Sequence, residues 1–191
     1  MNRFSWIELC VLLFLVACGD NIDFEYSDYH CNLTIDNSTH LDATLASAMN
    51  VGSPGVFTVI KPVFKNGSNY FDFTNNHGLS SEKRFNAIDS RLESYHHVGM
   101  KQGLIVGFGN LEQPAKFYAY DLQCPNCFHL KTFPMRSYEL TLNEAGTAFC
   151  KTCRRSYNMN TGGNIVSGDK GKSLVKYRAN TTGPNGLLRV Y

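Results

Sequence analysis

At 191 residues with 43% hydrophobic side chains, the chain is long enough to bury one real core and too short for two large ones. A net charge of +2 with no Lys/Arg run excludes the electrostatic footprint of a nucleic-acid-binding protein. No internal repeat, long low-complexity segment or sustained helical periodicity is present.

The first residues differ from the rest. Arg3 makes a short basic start, Trp6 to Ala17 form an apolar stretch broken by Glu8, and Leu15-Val16-Ala17-Cys18 closes it with small residues before a cysteine. The apolar run falls short of the roughly 20 residues a membrane span needs. The closing tetrapeptide resembles a bacterial lipobox. That resemblance implies a lipoprotein signal peptide over 1–17 and acylation of Cys18. The mature chain would then be held by acyl chains in the bacterial cell envelope, at the outer membrane or periplasmic face. A short transmembrane anchor or an unmodified secretory signal is the alternative.

Further along, the elements read as β. Phe24 to Ile35 alternates loosely and predicts a strand, and Leu41 to Met49 predicts one short helix capped near Asp42. Val56 to Ile60 is a β-branched run after a Pro-Gly turn. Asn66-Gly67 is a hairpin signal between Val63-Phe64-Lys65 and Tyr70 to Phe73. Ser81 to Asp89 has helical character. Gly103 to Gly109 and Lys116 to Asp121 read as strands, the second leading into Cys124. Tyr138 to Leu142 and Thr147 to Phe149 make a hairpin around Asn143 to Gly146, and Leu174 to Ala179 and Leu187 to Tyr191 complete a mainly β chain.

The chemistry concentrates in Cys124-Pro-Asn-Cys127 and Cys150-Lys-Thr-Cys153, two C-x-x-C pairs separated by about 22 residues. Four thiolates in two such knuckles are the usual pattern of a tetrahedral all-sulfur metal site. Zinc, a single iron and a [2Fe-2S] cluster all suit four cysteines, and two disulfides remain an alternative in an oxidising envelope. Zinc is favoured as a closed structural ion because paired knuckles most often carry it; an ion so ligated has no open position for substrate. Its site charge of about −2 would be offset by Lys131, Lys151, Arg154 and Arg155, unless these form an exposed basic turn. Cys127-Phe128-His129 also permits a C-x-H reading in which His129 replaces Cys124. Cys31 reads as a buried, apolar-like residue on a strand. The six histidines, including adjacent His96 and His97, read as surface residues, and no phosphate loop, nucleophile elbow or H-E-x-x-H motif marks a catalytic centre.

From Cys150 onward the sequence resembles the second half of a Rieske-type domain. The resemblance is carried by Cys150 to Cys153, Tyr157 to Gly163 with its Thr-Gly turn, Ser167-Gly168, Leu174-Val175-Lys176-Tyr177, and Gly186-Leu187-Leu188-Arg189-Val190. It covers about 40 residues, and Ala119-Tyr120-Asp121 fits the strand feeding the first ligand loop. It implies a Rieske-like antiparallel β sandwich or barrel over 18–191, with a base of 24–120 and 164–191 and a small zinc-ribbon-like metal-binding subdomain over 121–163. Rieske clusters use two cysteines and two histidines. Here Cys153 stands where the family has histidine. A [2Fe-2S] centre kept on four cysteines would be an electron carrier of lower potential, without the proton coupling of ligating imidazoles.

Overall fold

Leu104, Ile105 and Val106 offer no polar side chain to water, and all three are fully buried. A strand with successive residues buried must be covered on both faces, because neighbouring side chains point in opposite directions. The computed structural model, which describes residues 25–191, supplies both covers. The chain runs through β1 (Leu33–Asp36), α1 (Asn37–His40), α2 (Ala43–Ala48), β2 (Phe57–Lys65), β3 (Ser68–Asn75), β4 (Ser80–Arg84) and α3 (Ala87–Leu92). It continues with β5 (Leu104–Phe108), β6 (Phe117–Asp121), β7 (Thr141–Leu142), β8 (Thr147–Phe149), β9 (Ser156–Asn158), β10 (Asn164–Ser167), β11 (Lys176–Tyr177), β12 (Ala179–Thr181) and β13 (Leu187–Val190).

Three antiparallel sheets result: a central one ordered β11-β6-β5-β2-β3-β4, a three-stranded one ordered β1-β13-β12, and a four-stranded one ordered β10-β9-β8-β7. Leu104, Val106 and Ala119 of the central sheet join Leu33, Ile35, Leu188 and Val190 of the three-stranded sheet in one core, together with Leu45 and Met49 from the helical turn. Ile105, Tyr118 and Tyr120 project the other way and pack with Ala148, Tyr157 and Met159 in a second core that also contains Cys124 and Cys150. The period-2 alternation of β5 and β6 therefore links two apolar layers through one sheet.

Several expectations hold at residue level. The hairpin at Asn66-Gly67 joins β2 to β3, with both turn residues at positive φ (49° and 73°), as a two-residue primed turn requires. The predicted helix is α2, and Asp42 is its cap: its carboxylate accepts from Leu45 N at 2.8 Å and from Ser81 Oγ at 2.9 Å while almost fully buried. Asp42→Ala strands the Leu45 N–H, while Ser81 Oγ keeps Thr44 Oγ1 at 2.7 Å, so the urea midpoint is expected to fall by the equivalent of about 1 kcal/mol.

Other expectations are corrected. Residues 81–84 belong to strand β4, because their backbone pairs with β3 from Tyr70↔Arg84 to Thr74↔Ser80, and the helical signal begins only past Asn86. Asn86 and Asp89 close a reciprocal capping box there, which explains why the helical character leaked upstream in the sequence. Of the strand expected over 24–35, the described residues form strand only within Leu33–Asp36. The stretch Leu174 to Ala179 divides between two sheets, with Arg178 at the break, exchanging backbone hydrogen bonds with Tyr191. Among the described residues no helix is long and apolar enough to cross a membrane.

Candidate metal centre

Both knuckles form where a strand ends. Beyond β6 the chain makes a bridge between Gln123 and Glu139, and Cys124 N donates to Tyr138 O at 2.9 Å. The turn then closes with Cys127 N and Phe128 N both donating to Cys124 O, at 3.2 and 2.9 Å. The second knuckle leaves β8 at Phe149, and Arg154 N donates to Cys150 O at 2.9 Å. In each knuckle the residue after the second cysteine bonds the carbonyl of the first, so the same backbone loop is made twice. Arg154 takes φ +62° to complete the second one.

The two loops aim their sulfurs at one point. All four Sγ atoms lie within 4.8 Å of one another, with Cys124 to Cys153 at 3.6 Å and Cys127 to Cys150 at 3.8 Å. A tetrahedral ion with metal–sulfur bonds of about 2.3 Å has sulfur–sulfur edges of about 3.8 Å, so the donor set fits one ion. These separations far exceed the roughly 2.05 Å of a disulfide, and the cysteines are free thiols. The expected four ligands are thus brought together. His129 is exposed and lies outside the sulfur group, so the C-x-H alternative has no geometric support here.

The thiols do not titrate alike. Burial pushes Cys124 up to about 11, against hydrogen bonds from Tyr157 and the Asn126 backbone, and burial together with the neighbouring thiols also raises Cys127. At Cys153 burial opposes ionisation, but the Arg155 side chain and backbone and the Cys150 and Cys127 thiols outweigh it and draw the group down to about 6. Of the four cations expected to offset the site, Arg155 acts on Cys153 while its guanidinium donates to Asp169 O and Lys170 O, and Lys131, Lys151 and Arg154 are exposed.

A supporting shell around the sulfurs escaped the sequence reading. Tyr157 is fully buried, and its hydroxyl sits 3.4 Å from Cys124 Sγ while accepting from Asn126 Nδ2 at 2.9 Å. Burial raises the Tyr157 phenol, so it stays protonated and donates to the thiolate. Asn126 also donates to Lys172 O at 2.8 Å and accepts from Lys172 N at 2.9 Å, latching the 171–173 segment over the first knuckle. A Cβ on Gly171 would come within 2.4 Å of Asn126 Oδ1, so this approach needs glycine.

The base of the first knuckle hangs on Asp121. Its Oδ1 accepts from Gln123 N at 2.7 Å, and its Oδ2 accepts from Met100 N at 2.6 Å and Tyr177 Oη at 2.8 Å. Gln123 Oε1 in turn accepts from Tyr138 N at 2.6 Å, the residue whose carbonyl receives Cys124 N. A sequence signal for this exists only in hindsight: an acidic residue ending an otherwise apolar strand, two positions before the knuckle.

Cys31 is buried in the first core, away from the metal group, and burial pushes its thiol up to about 11. The expectation of surface histidines fails at His40, which is buried and pairs with Asp89 at 2.9 Å. It fails in part at His96, which is half-buried near Phe71 with its Nε2 unpartnered. The signal peptide over 1–17 and Cys18 lie outside the described residues.

Fold and site together define a mainly antiparallel β protein in which two C-x-x-C knuckles form a four-cysteine cluster able to hold a metal ion. No family model matches the chain, and neither a curated protein nor a solved structure matches it.

Proposed function

We propose that the protein is a lipid-anchored component of a bacterial cell envelope with a Rieske-like β fold, in which Cys124, Cys127, Cys150 and Cys153 hold one structural zinc ion without catalysis. The observation that carries the metal assignment is the pair of inter-knuckle sulfur distances, 3.6 and 3.8 Å, which match the edges of a mononuclear tetrahedral thiolate site. Two irons bridged by sulfide would instead need the thiolates parted into two pairs by the length of the cluster, whereas all four lie within 4.8 Å. Four thiolates fill the coordination of zinc, so the ion ties β6 to β8 and takes no substrate.

The Rieske-like part of the proposal has its support in sequence order and sheet arrangement. The resembling segments fall on β9, the Gly162-Gly163 turn, β11 and β13, and the four-stranded sheet beside the sulfurs is distinct from the two other sheets. The lipid anchor rests on the Leu15 to Cys18 pattern. A second reading, an electron-transfer protein with a [2Fe-2S] cluster on the same cysteines, draws its support from that same resemblance.

One preparation separates these readings. The full chain, expressed in a bacterium and purified in detergent without added metal, is expected to be colourless, with one zinc per chain, no acid-labile sulfide and a mass showing acylated Cys18. Two irons and two sulfides per chain with visible absorption would overturn structural zinc, as would a single iron. An unmodified Cys18 would overturn the anchor and leave the metal result standing.

A further inference from the structure

The chain between the first knuckle and β7 carries a surface that neither the metal nor the core explains. Residues 129–137 are all exposed. Three of them are large and apolar: Leu130 and Met135 are each 42% exposed, and Phe133 is 101% exposed, with no packing partner for its ring. A single exposed leucine is ordinary, but three such side chains within six residues, one of them entirely in water, form a patch. The metal ligands cannot account for them, since the first knuckle is closed by Phe128 N and none of residues 129–137 belongs to the sulfur group.

The charge around this patch has one sign. No acidic residue occurs between Asp121 and Glu139, and Lys131 and Arg136 lie inside the loop. Lys101 joins them from a neighbouring turn, its Nζ donating to Met135 O at 3.0 Å. Glu139, the first carboxylate beyond the loop, is already held by Lys61 at 2.9 Å. The surface is therefore apolar at its tip and cationic at its rim, a pattern complementary to an anionic headgroup layer over hydrocarbon.

The place where the remaining chain joins the fold favours a bilayer over a soluble partner. Leu130 and Lys131 border a hollow of about 350 Å³ together with Lys172 and Val175. An adjoining hollow shares Lys172 and Val175 and is bordered by Glu25, the first described residue. Glu25 thus lies on the loop's side of the fold, and on the proposed reading only seven residues of sequence separate it from the acylated Cys18, about 25 Å even fully extended.

We propose that the 129–137 loop docks on an anionic lipid bilayer. Phe133, Leu130 and Met135 enter the interfacial layer, where an aromatic ring is well accommodated, while Lys131, Arg136 and Lys101 face the phosphates. The choice of a bilayer rests on the proposed anchoring, but the docking goes beyond it, because it uses a different part of the chain. It would hold the metal unit, from Cys124 onward, against the membrane surface.

The test places a reporter on the loop. Trp6 is the sole tryptophan, so the full chain carrying W6F and F133W has one indole, at the loop tip. It is mixed with vesicles of phosphatidylglycerol and phosphatidylcholine containing brominated acyl chains. The indole emission is expected to shift to the blue and lose about half its intensity or more, and the effect should shrink in high salt. Adding K131E and R136E should weaken this response about tenfold or more, with metal content unchanged. A chain that sediments with the vesicles while its indole stays unshifted and unquenched overturns loop docking without touching the acyl anchor, and leaves the patch to a protein partner. Equal quenching by pure phosphatidylcholine vesicles, insensitive to K131E and R136E, overturns the proposal as well.

Discussion

Cys150→Ser is expected to abolish stoichiometric metal binding and to lower the melting temperature by on the order of 10 °C. Cys150 is 1% exposed, and its sulfur lies 3.8 Å from Cys127. Serine removes one corner of the tetrahedron and leaves three thiolates crowded together without the cation that would balance them. Because metal binding is part of the folding free energy, a loss of about 4 kcal/mol or more is expected, which for a chain of this size corresponds to that shift. Cys31→Ser provides the contrast: it is also buried, but outside the sulfur group, and should retain full metal with a much smaller loss of stability. Equal metal content in the Cys150→Ser and native chains, measured by elemental analysis, would refute the assignment of this residue.

The same site fixes a pH dependence. In the metal-free chain Cys153 lies near 6, below the ordinary thiol value of 9.0. A lowered acid pKa gives stability that is present above the ordinary value and lost as pH falls through the folded one. The chelator-treated protein should therefore melt at steadily lower temperature as pH is taken from 9 to 6. Cys124, raised to about 11, acts in the opposite sense only above that window.

Asp121→Ala should be the most damaging change outside the sulfurs. The side chain is completely buried, and its removal strands the N–H groups of Met100 and Gln123 and the hydroxyl of Tyr177. Three unpaired buried donors and a cavity are expected to cost about 3–5 kcal/mol in a denaturant titration. Since Gln123 positions Tyr138, and Tyr138 holds Cys124, metal affinity should also fall by roughly tenfold to a hundredfold, read by competition with a chromophoric chelator. Burial outweighs the three hydrogen bonds and pushes the Asp121 carboxyl up, so its protonated form is the one the fold favours. Asp121→Asn, neutral at every pH, should therefore lose less than Asp121→Ala. Its deficit against the native chain should narrow as pH rises and the native carboxyl ionises. An Asp121→Ala chain that binds metal normally would show that the knuckle stands without this anchor.

The strands that were legible in the sequence were those with a local cause. Asn66-Gly67 demands a primed turn, Leu104-Ile105-Val106 demands cover on two faces, and C-x-x-C repeated demands a common target. What was missed depends on partners distant along the chain. Ser81 to Arg84 carries polar residues that read equally well as helix, and only pairing with β3 makes it a strand. Leu174 to Ala179 reads as one element because its composition is uniform, yet two different sheets claim its halves. His40 looked like a surface histidine because Asp89, which buries with it, is remote in sequence. Asn126 and Tyr157 were visible as letters, but their hydrogen bonds to Lys172 and Cys124 close only when the second knuckle folds back onto the first.

The central sheet has two covers of unequal security. The three-stranded sheet is joined to it by a core of aliphatic and aromatic side chains without metal ligands, whereas the four-stranded sheet shares its core with Cys124 and Cys150. Lifting that second cover bares Ile105, Tyr118 and Tyr120 together, a continuous apolar face on a sheet that would otherwise remain folded. Such a half-open form is what proteases cut and what aggregates, while the other half of the molecule still reads as native. The supply of metal to a newly made chain would thereby set its lifetime as well as its shape.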